Sequence, residues 1–375
     1  MKKKNLFIDI AIYTVMICTY IIPSGFIKTS FDFSKLIFSG IFLLLILFSK
    51  KIKVFDVIFL VILGGLTYYT KNLSFLTFIP LLYLGEIIKN KDYVENKLLN
   101  GNILYICLIA TLVYSFISIF MFPIADKGIV REAYSAIVEK NQSAFAIFIL
   151  GVLLLKKNKS VGAWTLIFGM FTFSRLYFLS VFMLLLSKLK IVKKIMNKIN
   201  VKRWNYLVLN IIFFIILAGL GFIYLYLFNK GFIRGNTQLN GSFSLLDYSN
   251  LNRFTVNIIF VYMLAVSPKK YLFFGIKNDT YMGNIAYYAR HAFNTHNPGI
   301  VPHNLFLSHL KVYGIFSFVE LLYTAKYLKE VINKNNYILF LIVFITSSIL
   351  GCGLYSYWLY MSVFAFIIYM KEKTN

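Results

Sequence analysis

The 375 residues are 59% hydrophobic and 18% aromatic, only 14% carry a charge, and the mean hydropathy is +0.74. That composition excludes an ordinary soluble domain and indicates an all-α, polytopic membrane protein whose residues 1–375 form a single integral membrane domain. The formal net charge of +25 would point to nucleic acid in a soluble chain. Here the lysines fall in short clusters between apolar runs, where they set topology, and no nucleic-acid partner is expected.

The chain opens on Met1-Lys2-Lys3-Lys4 and an apolar run, with no small-x-small cleavage pattern before Pro23. A retained first span is therefore expected, not a cleaved leader. Further apolar runs fall near 32–49, 54–70, 73–88, 101–123, 141–155, 161–173, 175–187, 206–228, 303–325, 337–352 and 354–370, twelve with the run at 6–22. A crossing needs about 20 residues, so about 12 transmembrane helices are expected, several of them short. Cys18, Cys107 and Cys352 each lie inside such a run without metal-ligand spacing, as small core residues do.

The basic clusters test this count. Those at 2–4, 50–53, 89–97, 156–159, 188–203, 326–334 and 371–373 fall at alternate ends of the runs. All seven then share one side, which the positive-inside rule makes cytoplasmic, with both termini inside and the protein in the cytoplasmic (plasma) membrane. Residues 161–189 could form one long helix, but that would bury Arg175 near mid-bilayer at a cost of roughly 2.5–3.5 kcal/mol. Two short helices turning at Ser174-Arg175 avoid this. The run 254–267 spans only about 21 Å as a helix against a core of about 30 Å, so an interfacial or re-entrant helix ended by Pro268 is expected.

Two segments fall outside: a loop at 124–140 and a large loop at 229–302, between helices 9 and 10, that contains the 254–267 helix. Long loops escape the topology rule, so their cations ask for another explanation. Arg175, Arg234, Arg253 and Arg290 all face outward or sit at the outer boundary. The guanidinium fork suits bidentate phosphate, and a lipid pyrophosphate at the outer leaflet is the anion at hand. Arg175 and Arg253 rank first because each borders an apolar helix, where unpaired charge is costly.

All four histidines, His291, His296, His303 and His309, crowd into residues 290–314. The spacings of five (291, 296) and six (303, 309) are not the i,i+4 that puts two ligands on one helix face, so no metal is expected. Nucleotide-binding and hydrolase signatures are absent as well. Intramembrane acids are few, and Glu320 alone lies inside the helix that His303 opens.

From His303, the sequence H-N-L-F-L-S-H-L-K-V-Y-G-I-F resembles the pattern after the large outer loop in the O-antigen polymerase and ligase superfamily, the Wzy-like and WaaL-like membrane glycosyltransferases. Lys140-Asn141-Gln142-Ser143-Ala144 is similar to the Asn-containing start of that family's central helix. The stretch around Ser174-Arg175 is similar to its Ser-Arg helix start, and residues 253–275 to its Arg, amphipathic helix, Pro, Gly block. Phe274-Gly275-Ile276 departs from the family's Gly-x-Gly, which puts a tight turn there in question.

The resemblance implies transfer at the outer face between polyprenyl-pyrophosphate-linked oligosaccharides, most like a Wzy-type polymerase building capsule, exopolysaccharide or O-antigen. No metal and no cofactor is implied, because the pyrophosphate already activates the donor. In this role Arg253 and Arg175 neutralise charge developing on pyrophosphate. His303 acts as general base on the acceptor hydroxyl or orients a phosphate. Asn304, Arg290, His291 and Asn141 join Tyr281, Tyr287 and Tyr288 as substrate contacts. The partners implied are the lipid-linked oligosaccharide, membrane lipid, and flippase and chain-length-regulator proteins. A ligase of the same superfamily is the nearest alternative. A flippase or other transporter is the alternative from another class, and would ask for inverted repeats with broken helices.

Overall fold

The computed structural model describes residues 2–22, 30–49, 52–121, 140–172, 174–201, 205–232, 248–295, 298, 302, 304–350 and 357–371. Every regular element among them is helical. The expected loop at 124–140, except Lys140, and the first part of the 229–302 loop lie outside the described residues.

In chain order the α-helices are α1 Lys2–Met16, α2 Ser30–Ser49, α3 Val54–Thr70, α4 Phe78–Lys89, α5 Lys91–Asn100, α6 Ile103–Met121, α7 Lys140–Lys157, α8 Lys159–Gly169, α9 Arg175–Leu186, α10 Lys190–Asn197, α11 Tyr206–Asn229, α12 Tyr248–Val266, α13 Lys269–Phe274, α14 Asn278–His291, α15 Leu305–Tyr313, α16 Ser317–Val331, α17 Tyr337–Leu350 and α18 Tyr357–Ile368. Among the described residues, two stretches, Lys4–Ile21 and Tyr206–Asn229, are long and apolar enough to cross a bilayer alone. The pair Leu73–Lys89 and Lys91–Asn100 passes the same test together but bends by 88°. Shorter apolar helices of 10–17 residues account for most of the remaining hydrophobic runs.

The chain divides into two compact units, 1–204 with 323–346 and 354–375, and 205–322 with 347–353. In the first unit α7 and α18 are buried almost throughout, and α18 leaves no residue exposed. Tyrosines of this apolar body donate across it to backbone carbonyls, which keeps their hydroxyls bonded away from water. Tyr20 donates to the Ala146 carbonyl at 2.8 Å, Tyr360 to the Pro80 carbonyl at 2.7 Å and Tyr369 to the Val152 carbonyl at 3.0 Å.

One end of this unit gathers groups from several basic clusters. Lys97 reaches Asp9 at 2.9 Å, Lys371 pairs with Asp92 at 2.9 Å and Glu95 at 3.1 Å, and Lys157 donates to the Leu99 and Gly101 carbonyls. Asn333, between α16 and α17, donates to the Met370 carbonyl at 2.9 Å. The hydrogen bond from Lys371 holds the Asp92 carboxyl below the usual carboxylate range, and raises Lys371 in return.

The expected turn at Ser174 is present. Ser174 is extended (φ −80°, ψ 119°) between a 3-10 turn at Met170–Thr172 and α9. In contrast, 303–325 is not the continuous helix its hydrophobicity predicts. It breaks at Gly314, whose φ of 57° and ψ of −139° no helix accepts. The amphipathic helix expected at 254–267 starts earlier, at Tyr248, and stops at Val266, just ahead of Pro268.

The second unit is built on α11 and α12. Gly221 lets the two helices approach until a Cβ there would stand 2.7 Å from the Phe254 carbonyl oxygen. Tyr224 and Leu251 close one end of this contact, with Leu227, Phe228 and Phe254 around them. A second cluster joins three helices: Val256, Ile259, Phe260 and Met263 of α12, Tyr281, Ile285 and Ala289 of α14, and Leu307 and Leu310 of α15. The α14 residues recur every four positions, which puts them on one helix face.

Candidate functional site

The three-helix cluster places the sequence-selected residues of the second unit. Arg253 lies in the second turn of α12 and is half-buried. One turn on, Asn257 is 0% exposed and donates its amide to the Arg253 carbonyl at 3.2 Å. Its side-chain oxygen accepts no hydrogen bond among the described residues. A buried orphan acceptor costs roughly 1–3 kcal/mol, so this oxygen lacks a donor it would otherwise have in water. Sequence reasoning passed over Asn257, although a polar residue four places from Arg253 on an apolar helix shares its face.

Asn304 precedes α15 and is 1% exposed. Its side-chain oxygen accepts from the Leu307 amide at 3.1 Å, and its carbonyl from the Ser308 amide at 2.8 Å. This is an N-cap. The oxygen expected to meet substrate instead fixes the start of the helix that follows His303.

Arg290 and His291 end α14, both exposed, where cations favour the negative helix pole. His291 lies against Tyr287, ring centroids 4.5 Å apart, and Tyr287 against Tyr288 at 5.2 Å. Tyr262 of α12 meets Tyr288 at 5.7 Å and Phe293 at 5.4 Å. Together they form an aromatic ledge bordered by a guanidinium, a surface on which sugar rings and anions can rest. Tyr281, expected among the sugar contacts, is instead core. It is 0% exposed beneath the Lys311 ammonium, 4.7 Å from its ring centroid, and burial pushes its phenol well above the usual tyrosine range.

Compared with known family models, curated proteins and solved structures, the chain matches none of them.

His303 and His296 lie outside the described residues, as do the side chains of Asn141 and Arg175. The backbones of Asn141 and Arg175 belong to the first turns of α7 and α9, in the first unit. The structure therefore brings together, around one core, the helices that carry Arg253, Arg290, His291 and Asn304. Tyr262, Phe293 and Asn257 join that set. No group of three or more His, Cys, Asp or Glu residues able to hold a metal occurs among the described residues.

Asn257→Leu is expected to raise thermal stability by about 1 kcal/mol, because an orphan acceptor gives way to a methyl group in a dry site. Thermal unfolding of the purified protein reads the effect, and a variant no more stable than the wild type would show that the oxygen is not short of a donor.

Proposed function

We propose that the protein is a membrane glycosyltransferase that polymerises polyprenyl-pyrophosphate-linked oligosaccharide repeats at the outer face of the cytoplasmic membrane, giving capsule, exopolysaccharide or O-antigen. The observation that carries this reading is the shared core of α12, α14 and α15, helices that carry a half-buried arginine, an orphan carboxamide oxygen and an aromatic ledge. These are the groups that a sugar linked to pyrophosphate asks for. The resemblance around Arg253 and His303 points to the same chemistry.

In the proposed layout twelve apolar segments enter or cross the bilayer with both termini cytoplasmic, and 303–325 makes one crossing broken at Gly314. The gathering of Asp9, α5, Lys157, the α16–α17 turn and Lys371 at one end of the first unit supports placing these clusters on one side. The reacting acceptor hydroxyl attacks the anomeric carbon, and the C–O bond to the pyrophosphate breaks with its electron pair on the leaving phosphate. Arg253, with Arg175, neutralises that charge. His303 receives or steers the hydroxyl proton.

In cells lacking the native gene, His303→Ala is expected to abolish long polymer while single-repeat lipid intermediates persist on the outer leaflet at normal protein level. Undiminished polymer would remove His303 from the chemistry. Finished polymer left on its lipid carrier would indicate the ligase. A transporter is the second reading, favoured by the break at Gly314 within an apolar run. It predicts intermediates trapped on the inner leaflet.

A further inference from the structure

Within the second unit an acid and an imidazole are buried against each other. Glu320 is 3% exposed and His309 6%, and His309 Nδ1 stands 2.6 Å from Glu320 Oε2. The contact is close without lining up as an N–H···O bond, and Oε2 accepts no aligned hydrogen bond among the described residues. A carboxylate oxygen this near a ring nitrogen repels it unless one of the two carries a proton.

The break at Gly314 makes the contact. Residues 309 and 320 are eleven apart, so on one continuous helix they would be separated by roughly 16 Å along the axis. The sharp bend also lets Phe306 of α15 meet Phe318 of α16 with ring centroids 5.0 Å apart. A sequence that needed only a greasy span would have no reason to interrupt it and bury an acid at the bend.

Other ionisable groups stand around the pair among the described residues. On α15, the Tyr313 ring meets His309 edge-on at 5.9 Å. Lys311, two residues along, turns to α14, where it donates to the Asn278 side-chain oxygen at 2.8 Å. From α11, Tyr206 is within electrostatic reach of Glu320. Lys269 and Lys270 of α13 and Asp279 of α14 are exposed. With one proton the pair is neutral overall, either as imidazolium and carboxylate or as imidazole and carboxylic acid. With two protons or none, a net charge would sit in a dry site. Ionisable groups are kept at such depth in membrane proteins where they work.

We propose that His309 and Glu320 form a proton-binding site that takes up the proton released in glycosyl transfer and passes it on to water. The relay role rests on the function proposed above; the binding of the proton does not. In the step, the acceptor oxygen bonds to the anomeric carbon, the C–O bond to pyrophosphate breaks with its pair on the lipid pyrophosphate, and the hydroxyl proton ends on the His309–Glu320 pair. The pair begins with one proton, and as the hydroxyl proton arrives the one it held leaves to water, so the pair stays neutral and ends as it started. Both residues are positioning and proton-holding groups, with the reacting atoms handled by the residues of the site above.

Two measurements separate the parts. Full-length protein in phosphatidylethanolamine–phosphatidylglycerol vesicles is stepped across the neutral pH range while its infrared difference spectrum is recorded. A pH-dependent band of the pair, from the carboxyl group as acid or as carboxylate, is expected in the wild type, absent in Glu320→Gln and displaced in His309→Gln. Glu320→Asp keeps the acid on a shorter arm and covers a Gln variant that fails to fold, so its band must be present and shifted. A wild-type spectrum with no such band, or a band that neither Glu320 variant alters, overturns the site. The second measurement is transfer rate against pH. The acid limb is expected to move in His309→Gln and Glu320→Gln while KM for the lipid-linked donor stays within about twofold. A limb unmoved in both overturns the relay. A wild type that forms no polymer would sink the proposed reaction, and the infrared arm would still decide the site.

Discussion

In the proposed polymerisation, Arg253→Ala is expected to lower the turnover of lipid-linked repeats by roughly a hundred- to a thousandfold, the usual loss when one preorganised donor to a developing anion is removed. Arg253→Lys is expected to fall between, roughly tenfold down. It keeps the charge but replaces a planar fork by a single ammonium, which cannot hold two phosphate oxygens at once. The kinetic split is as informative as the size. If Arg253 acts on charge that appears only as the C–O bond breaks, kcat falls with KM little changed. If it merely binds the resting pyrophosphate, KM rises instead. Arg253 is half-buried in the second turn of α12, and Asn257 one turn along donates to its backbone carbonyl. Steady-state kinetics with purified lipid-linked repeats checks the result, and an Arg253→Ala enzyme within a few-fold of wild type would remove the arginine from the reaction.

Much of this architecture is legible in the residues, for identifiable reasons. Helical content follows from long apolar runs, because the bilayer leaves backbone groups no partner but their own helix. The turn at Ser174-Arg175 follows from the cost of burying Arg175, and the chain does break there. Pro268 marks where α12 stops. The bend in 303–325 was not legible, because Gly314 in an apolar run looks like any tolerated helix glycine. Only its contact with Leu272 and Phe273, some forty residues away in sequence, sets its conformation. Tyr281 misled for a related reason. Its spacing with Ile285 and Ala289 marks a buried face, but an aromatic residue in an outer loop also suits a sugar. Asn304 was found by its motif and then proved to be a helix cap. His309 was set aside because its spacing from the other histidines fits no metal, and spacing within one strip could not reveal Glu320 as its neighbour across a bend.

Gly314→Ala is expected to prevent stable folding, whereas Gly283→Ala in the same unit is expected to be neutral or to stabilise by up to about 1 kcal/mol. The chemistry of the two changes is identical and the surroundings are opposite. At Gly283, inside α14, an added Cβ meets nothing within 4 Å, and alanine is the better helix former. At Gly314 the backbone φ is 57°, a region that costs a residue with a side chain about 1–3 kcal/mol. The added Cβ would also stand 2.4 Å from the Phe273 carbonyl carbon and oxygen, atoms of backbone that cannot rotate away. Gly275 faces the reverse side of the same clasp. Its φ is 79°, a Cβ there would lie 2.4 Å from the Val312 carbonyl oxygen, and the neighbouring Ile276 amide donates to the Lys311 carbonyl at 2.7 Å. Two glycines thus let the stretch after Pro268 lie directly on the broken end of α15 and satisfy a carbonyl that the break leaves open. Since whole domains are stable by only about 5–15 kcal/mol, strain and overlap at one residue are enough to lose the fold. Protein level and thermal unfolding in detergent measure both variants. A stable Gly314→Ala protein that keeps its infrared carboxyl band would show that α15 and α16 can bend without the glycine. One that is stable but has lost the band would show that the bend exists to bring Glu320 to His309.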